Sequence, residues 1–417
     1  MPISSPYHEY YQHNPFEASA YIQDKIEFKE MIINPGIRFD FFDSDGRILT
    51  DPSDPQIYNP FNPNHIYSNY TSDLPDSLLI EATVEEREEY WYKDAETKKQ
   101  ISPRIGISFP ITDRGVIHFS YGHFFQTPAL SYLYRNPEFE VYGAGTEQYI
   151  GNADLDAERT VMYEVGIQQA ISRDVTLHAT AFYRDIRDWV GMSPPIDTYS
   201  ARTTYQKYIN KDYASVQGVT ITTRYDADVF TAKLDYTFME ARGTTSDPLD
   251  AYYDAQDDRA PRVQMVILDW DQAHTANFFI ANRIQNWSAS CIVRLNSGLP
   301  YTPTYPRGEK FGSSSFVGLT ENIGRRPYTF NIDLRFIKSW KIEGIRYELA
   351  IDVTNVLDSR TARNVYSDSG RPDFTRDSVL DTYNYRIVEI SNVDEYFRRP
   401  GNFYPPRRIQ LGFSIGF

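Results

Sequence analysis

Alternation of apolar and polar residues runs through almost the whole chain, in segments too long for an ordinary soluble domain. About thirteen such segments are bounded by turn residues. They cover 18–28, 31–42, 100–111, 115–125, 159–171, 175–191, 206–226, 230–243, 274–284, 287–303, 329–342, 345–359 and 407–417. Many hold ten residues or more. Globular strands are typically ~5–6 residues long, whereas ~9–11 tilted residues cross a bilayer. The connections alternate in length. Short ones fall at 29–30, 112–114, 172–174, 227–229, 285–286 and 343–344, and long ones at 43–99, 126–158, 192–205, 244–273, 304–328 and 360–406. A soluble sandwich has no reason to sort its loops by length onto two ends. An outer-membrane barrel does, because its periplasmic turns are short and its extracellular loops long. The expected fold is therefore all-β, an antiparallel transmembrane β-barrel.

The faces of single strands agree. In the last one, Ile409, Leu411, Phe413, Ile415 and Phe417 share a side, opposite Arg408, Gln410, Gly412, Ser414 and Gly416. In 345–359, Tyr347, Leu349, Ile351 and Val353 oppose Arg346, Glu348, Ala350 and Asp352. In 329–342, Phe330, Ile332, Leu334 and Phe336 oppose Asn331, Asp333 and Arg335. A charge on the lipid face at mid-bilayer costs ~2–4 kcal/mol, so Asp333, Arg335, Glu348 and Asp352 are expected to face the lumen. With the short turns in the periplasm, the last strand runs inward. So does the first, which leaves residues 1–17 as the remnant of an extracellular loop and 18–417 as one barrel domain. The charged stretch 84–99 is expected to hold a short helix in the first long loop.

Composition narrows the alternatives. Hydrophobic residues make up 41% of the chain, yet mean hydropathy is -0.53 and no run approaches the ~18 apolar residues of a membrane helix. That excludes a helical membrane protein and leaves a barrel open. The 33 tyrosines suit the two interfacial girdles of a barrel. A net charge of -15 argues against nucleic acid as a partner. Cys291 is the single cysteine, so neither an intrachain disulfide nor a cysteine zinc site is possible. The first residues have no basic segment followed by an apolar core, hence no signal-peptide pattern.

Catalytic patterns are absent: there is no Gly-x-Ser-x-Gly, no Walker loop and no Cys-x-x-Cys. His8 and His13 are one residue too far apart for a helical zinc pair. Asp43-Ser44-Asp45-Gly46 is half a calcium loop and reads as a turn leaving a strand. His118 and His123 face opposite sides of one strand. No catalytic residue, metal site or cofactor is expected.

Several segments resemble TonB-dependent receptors of the outer membrane of Gram-negative bacteria. Ala20 to Glu27 followed by Asn34 to Asp40 looks like a mid-barrel hairpin of that family, and Ser102 to Gly106 with Tyr121 to Pro128 looks like the next. Asn152-Ala153-Asp154-Leu155-Asp156-Ala157-Glu158 resembles the family's Asn-Pro-x-Leu-x-Pro-Glu stretch, with alanines in place of both prolines. Asp352 to Asp358 resembles the penultimate strand, and Pro405-Pro406-Arg407-Arg408 leads into the last. Gln410, Gly412, Ile415 and Phe417 resemble the C-terminal signal read by the barrel-assembly machinery.

The resemblance implies a receptor that takes up a scarce nutrient (a metal chelate, a cobalamin or an oligosaccharide) with energy delivered by TonB. No enzyme activity is implied. Tyr252, Tyr253, Tyr301 and Tyr305 are candidate ligand contacts, with girdle or loop packing as the competing role. Implied partners are outer-membrane lipid, the assembly machinery, and the TonB complex acting through a plug segment. A passive porin-like or adhesin barrel, a barrel enzyme and a soluble β protein are the alternatives.

The family's barrel has about 22 strands around a plug, so about thirteen segments match its C-terminal part. Signal peptide, plug and about nine strands have no counterpart in the sequence. Thirteen strands cannot close with every neighbour antiparallel. Open edges would leave roughly ten backbone groups each in lipid, at several kcal/mol apiece, against a net stability of ~5–15 kcal/mol. The expectation is a fragment, completed by an upstream-encoded plug and barrel half.

Overall fold

The computed structural model describes residues 10–141, 148–256, 264–304, 321–376 and 399–416. Its wall is a meander of thirteen strands. They are β1 (Phe16–Gln23, resuming as Ile26–Phe28), β2 (Met31–Asp43), β3 (Lys98–Thr112), β4 (Gly115–Gln126), β5 (Glu158–Ala170), β6 (Val175–Met192), β7 (Thr204–Asp226), β8 (Phe230–Gly243), β9 (His274–Ile284), β10 (Trp287–Asn296), β11 (Thr329–Ile342), β12 (Ile345–Thr354) and β13 (Arg408–Gly416). Each pairs antiparallel with the next. No pairing joins β1 to β13 among the described residues, and both strands are exposed along their length.

Every segment expected from the sequence is a strand, with ends adjusted by local chemistry. β1 starts at Phe16, two residues earlier than expected, because Phe16 and Glu17 continue the register against Asp43 and Phe42. The segment 287–303 stops at Asn296. Beyond it Gly298 runs so close to Arg326 that a Cβ would lie 1.7 Å from the Arg326 carbonyl oxygen. The segment 345–359 stops at Thr354, because Asn355 turns the chain at φ 54°. In the tight turn between β11 and β12, Glu343 and Gly344 have φ 49° and 88°, the geometry that matches strand twist in a two-residue hairpin.

Register assigns the faces. Trp287–Lys338–Leu349–Phe413 and Ala289–Phe336–Ile351–Leu411 are cross-strand rows on one side. Ser290–Arg335–Asp352–Gln410 is a row on the other. The first side is the lipid face and the second the lumen face, since only the first is continuously apolar through its middle. Aromatic rings gather at both margins of the apolar band. Trp340, Tyr347 and Phe413 lie 5.9–6.5 Å apart at the end with the tight turns. Tyr121, Tyr163 and Tyr183 form a row at the other, with spacings of 5.1 and 6.3 Å. Lys338, the charge on the lipid face near the first margin, lies 4.1 Å from the Trp287 ring, where a long side chain can reach the headgroups. Among the described residues no helix is long and apolar enough to cross a membrane.

Strand β7 has 23 residues, about twice the bilayer requirement of ~9–11. Its first half and the end of β6 project beyond the apolar band, and the conventional core sits there. One cluster joins Phe42, Leu133, Tyr134, Tyr149, Val190, Met192, Tyr208 and Tyr252. A second joins Leu49, Ile57, Trp91, Phe139, Val141 and Tyr205. The loops thus pack on one another instead of spreading over the rim.

Candidate functional site: the loop-covered mouth and the lumen face

The expected short helix in the first long loop spans Val84–Trp91 and is labelled α1. Thr83 and Glu86 form a reciprocal capping box that satisfies its first amides. From α1, Arg87 reaches into the loop interior. Its guanidinium donates to the carbonyls of His65 and Ile57, each at 3.0 Å, and it is 3% exposed. Asp54, also buried, accepts from the amides of Phe61 and Asn62 at 2.8 and 3.0 Å. Tyr205, from the projecting part of β7, donates its hydroxyl to the Pro52 carbonyl at 2.6 Å. A single polar framework therefore fixes the first loop to the wall. Burial pushes the phenols of Tyr58 and Tyr134 up to about 12, with Glu138 adding to the effect at Tyr58. The Tyr92 phenol is raised as well, mainly by burial.

The loop between β8 and β9 is tied to the loop between β10 and β11. The Asn322 amide donates to the Ile267 carbonyl at 2.8 Å and the Asp269 carboxylate at 2.6 Å. Arg325 donates to both the carbonyl and the carboxylate of Asp271. Nothing in the local sequence marks these residues, because the partners lie more than fifty positions apart.

The four candidate tyrosines separate. Tyr252 is 5% exposed. Its ring packs 4.9 Å from Tyr149, and its hydroxyl accepts from the Gln148 amide at 3.2 Å and the Gln256 side chain at 2.6 Å. Its neighbour Tyr253 is 55% exposed. Tyr301 is half-buried where Pro300–Tyr301 pairs with Gly324–Arg325. Tyr305 lies outside the described residues, as does Phe417. Gln410 and Gly412 sit on the lumen face of β13 opposite Asp352 and Ala350, and Ile415 sits on the lipid face opposite Tyr347.

Charges inside the wall pair on the lumen face. Arg38 meets Asp40 at 2.8 Å, Lys233 meets Asp235 at 2.8 Å and Arg335 meets Asp352 at 3.5 Å. Asp333, Arg335, Glu348 and Asp352 all occupy the side expected of them. His118 and His123 fall on opposite faces, as expected. Among the described residues no three His, Cys, Asp or Glu side chains converge as metal ligands.

A wall with a charged lumen face, an apolar lipid face and loops packed over one end is an outer-membrane barrel wall. Residues 2–356 match the family described as TonB dependent receptor-like, beta-barrel. The chain belongs to this family. TonB-dependent receptor barrels reside in the outer membrane of Gram-negative bacteria, and they are receptors and transporters, not enzymes. Similar solved structures share the fold at low identity. The ferric citrate transporter FecA in its unliganded form is 12% identical, with a TM-score of 0.52, over 96% of this chain and 45% of that one. The FrpB iron transporter from Neisseria meningitidis (F3-3 variant) is 16% identical, with a TM-score of 0.50, over 83% of this chain and 41% of that one. The siderophore receptor PiuA from Acinetobacter baumannii is 14% identical, with a TM-score of 0.50, over 85% of this chain and 40% of that one. The chain spans less than half the length of these receptors.

Proposed function

We propose that this wall is the ligand-binding barrel portion of a receptor for TonB-energised uptake of a scarce nutrient: a metal chelate, a cobalamin or an oligosaccharide. The observation that carries the reading is the loop core built over one end of a wall whose lumen is polar. That arrangement suits capture of a large polar solute from outside. The iron and siderophore transporters among the similar structures support a metal chelate as the first ligand to test. Among the candidate tyrosines that are described, Tyr253 has the most exposed ring and is the first to test as a ligand contact.

Strands beyond these thirteen complete the barrel in this reading, and the whole of 1–417 is one partial barrel domain. β1 and β13 run in the same direction, so antiparallel closure requires an odd number of added strands. A second copy of this chain would place two like-directed strands side by side. TonB would act through a plug inside the completed barrel. Gln410, Gly412, Ile415 and Phe417 would engage the assembly machinery, and Phe417→Ala should lower surface levels of the completed barrel more than its ligand affinity.

The test is deletion of the coding sequence from its bacterium, followed by uptake of labelled ferric chelates, cobalamin and oligosaccharides with and without TonB. Loss of one uptake in both the deletion strain and the TonB-less strain supports the proposal. Uptake that needs this chain but not TonB would make it a passive barrel. Sequencing upstream of Met1 tests the partial-barrel reading through the plug and strand segments it should encode.

A further inference from the structure

At the loop end of β10–β13 the lumen face holds a cavity of about 420 Å³, within the size range of small-molecule sites. Asn296, Arg294 and Asn331 line it from β10 and β11, Arg408 from β13, and Thr361 and Tyr404 from the long loop between β12 and β13. Its framework is fixed by hydrogen bonds. The Asp333 carboxylate accepts from the Arg294 guanidinium, the Asn331 side chain at 2.8 Å and the Asn355 amide at 2.9 Å. The Asn355 side chain in turn donates to the carbonyls of Ser359 and Pro405 at 3.1 and 3.2 Å. The turn after β12 and the entry to β13 are thereby held against β11.

The charge balance at this cavity is specific. Asp333 neutralises Arg294, and both carboxylate oxygens are engaged. Arg408 has no ion-pair partner among the described residues, so the lining carries one net positive charge. Around it stand amides and hydroxyls, which suit ligand hydroxyls, and the Tyr404 ring, 50% exposed, which suits the C–H face of a sugar. A guanidinium with free donors is the side chain that best matches a carboxylate.

Resting on the uptake reading above, we infer that this cavity is a subsite for a hydroxylated carboxylate, such as an acidic sugar unit or a hydroxy-acid arm of a larger ligand. Arg408 takes the carboxylate, Asn331 and Asn296 take hydroxyls, and Tyr404 packs on the carbon skeleton.

The experiment uses outer membranes from the bacterium expressing the chain from its own locus, with a deletion strain as background. Labelled galacturonate and galactose are the probes, differing only in the carboxylate. Galacturonate should bind about tenfold tighter or more, the worth of a charge-assisted pair. Arg408→Gln should bring the two probes to the same affinity, Arg408→Lys should keep part of the difference, and Tyr404→Ala should weaken both. Equal binding of the probes, discrimination that survives Arg408→Gln, or no binding of either above background each overturns the inference. Binding is also measured in a TonB-less strain, where the subsite should be unaffected. Expected binding without any TonB-dependent uptake lost on deletion would overturn the uptake reading and leave the subsite standing. Uptake lost on deletion, with probes indifferent to Arg408, would do the reverse.

Discussion

The Asp271 carboxylate lies 2.5 Å from an Arg325 guanidinium nitrogen, across 54 positions of sequence. Asp271 is 1% exposed and also accepts from the Ala241 amide at 2.6 Å. The pair therefore joins the loop after β8, the top of β8 and the loop before β11. Removing Arg325 leaves a buried carboxylate without its counter-charge; because the Arg325 side chain is itself 36% exposed, the cost falls below the ~3–5 kcal/mol of a pair buried on both sides. Arg325→Ala should free the loop between β8 and β9, read as faster proteolysis there with the wall intact. Unchanged proteolysis would mean that Asn322 and the Ala241 amide hold the loops without the ion pair.

Ile351 lies on the lipid face between Phe336 and Leu411. Ile351→Arg should destabilise the assembled barrel by ~2–4 kcal/mol, and arginine at Ala350, on the opposite face, by much less. Urea unfolding in detergent or lipid compares the two. A larger effect at Ala350 than at Ile351 would show that the two faces are exchanged, and equal effects that neither side meets lipid.

Protease added to intact cells should reach the loop between β8 and β9, where Tyr253 is exposed, and should spare the Glu343-Gly344 turn until the membrane is breached. Cleavage at the turn in intact cells, with the loop protected, would invert the topology.

The raised phenols of Tyr58 and Tyr134 make the loop core sensitive to alkali. An unfolded phenol ionises near ~10, whereas these two reach about 12 in the fold. The folded state holds the proton more tightly, so the stabilisation is fully present below the unfolded value. It is lost as pH rises through the folded one. Proteolysis within residues 43–97 should therefore accelerate between about 10 and 12, with late-titrating phenols in the tyrosinate absorbance. A single titration near ~10 with no loosening would contradict the burial of these side chains.

Much of the wall is legible without coordinates. The alternation of Tyr347, Leu349, Ile351 and Val353 with Glu348 and Asp352 identifies a strand, its two faces and the side that carries charge. The turn at Glu343-Gly344 and the helix start at Thr83 with Glu86 are local signals of the same kind. The mouth reads differently. Tyr252 and Tyr253 are adjacent and chemically identical, yet one is buried by Tyr149 and the other open to solvent. Arg87 sits among glutamates like any solvated helix residue, and its burial follows from carbonyls 21 and 30 residues away.

The sequence by itself determined a two-faced antiparallel wall of thirteen strands and its family. Lipid and water act on every strand alike, so each strand must carry the same period-two pattern locally. Only the tertiary structure decided which loop side chains form a core, that Asp271 and Arg325 meet, and that Arg408 borders a cavity with its charge uncompensated among the described residues. Those outcomes depend on contacts between distant segments that follow no period, and a residue's type does not record which distant partner the folded chain brings to it.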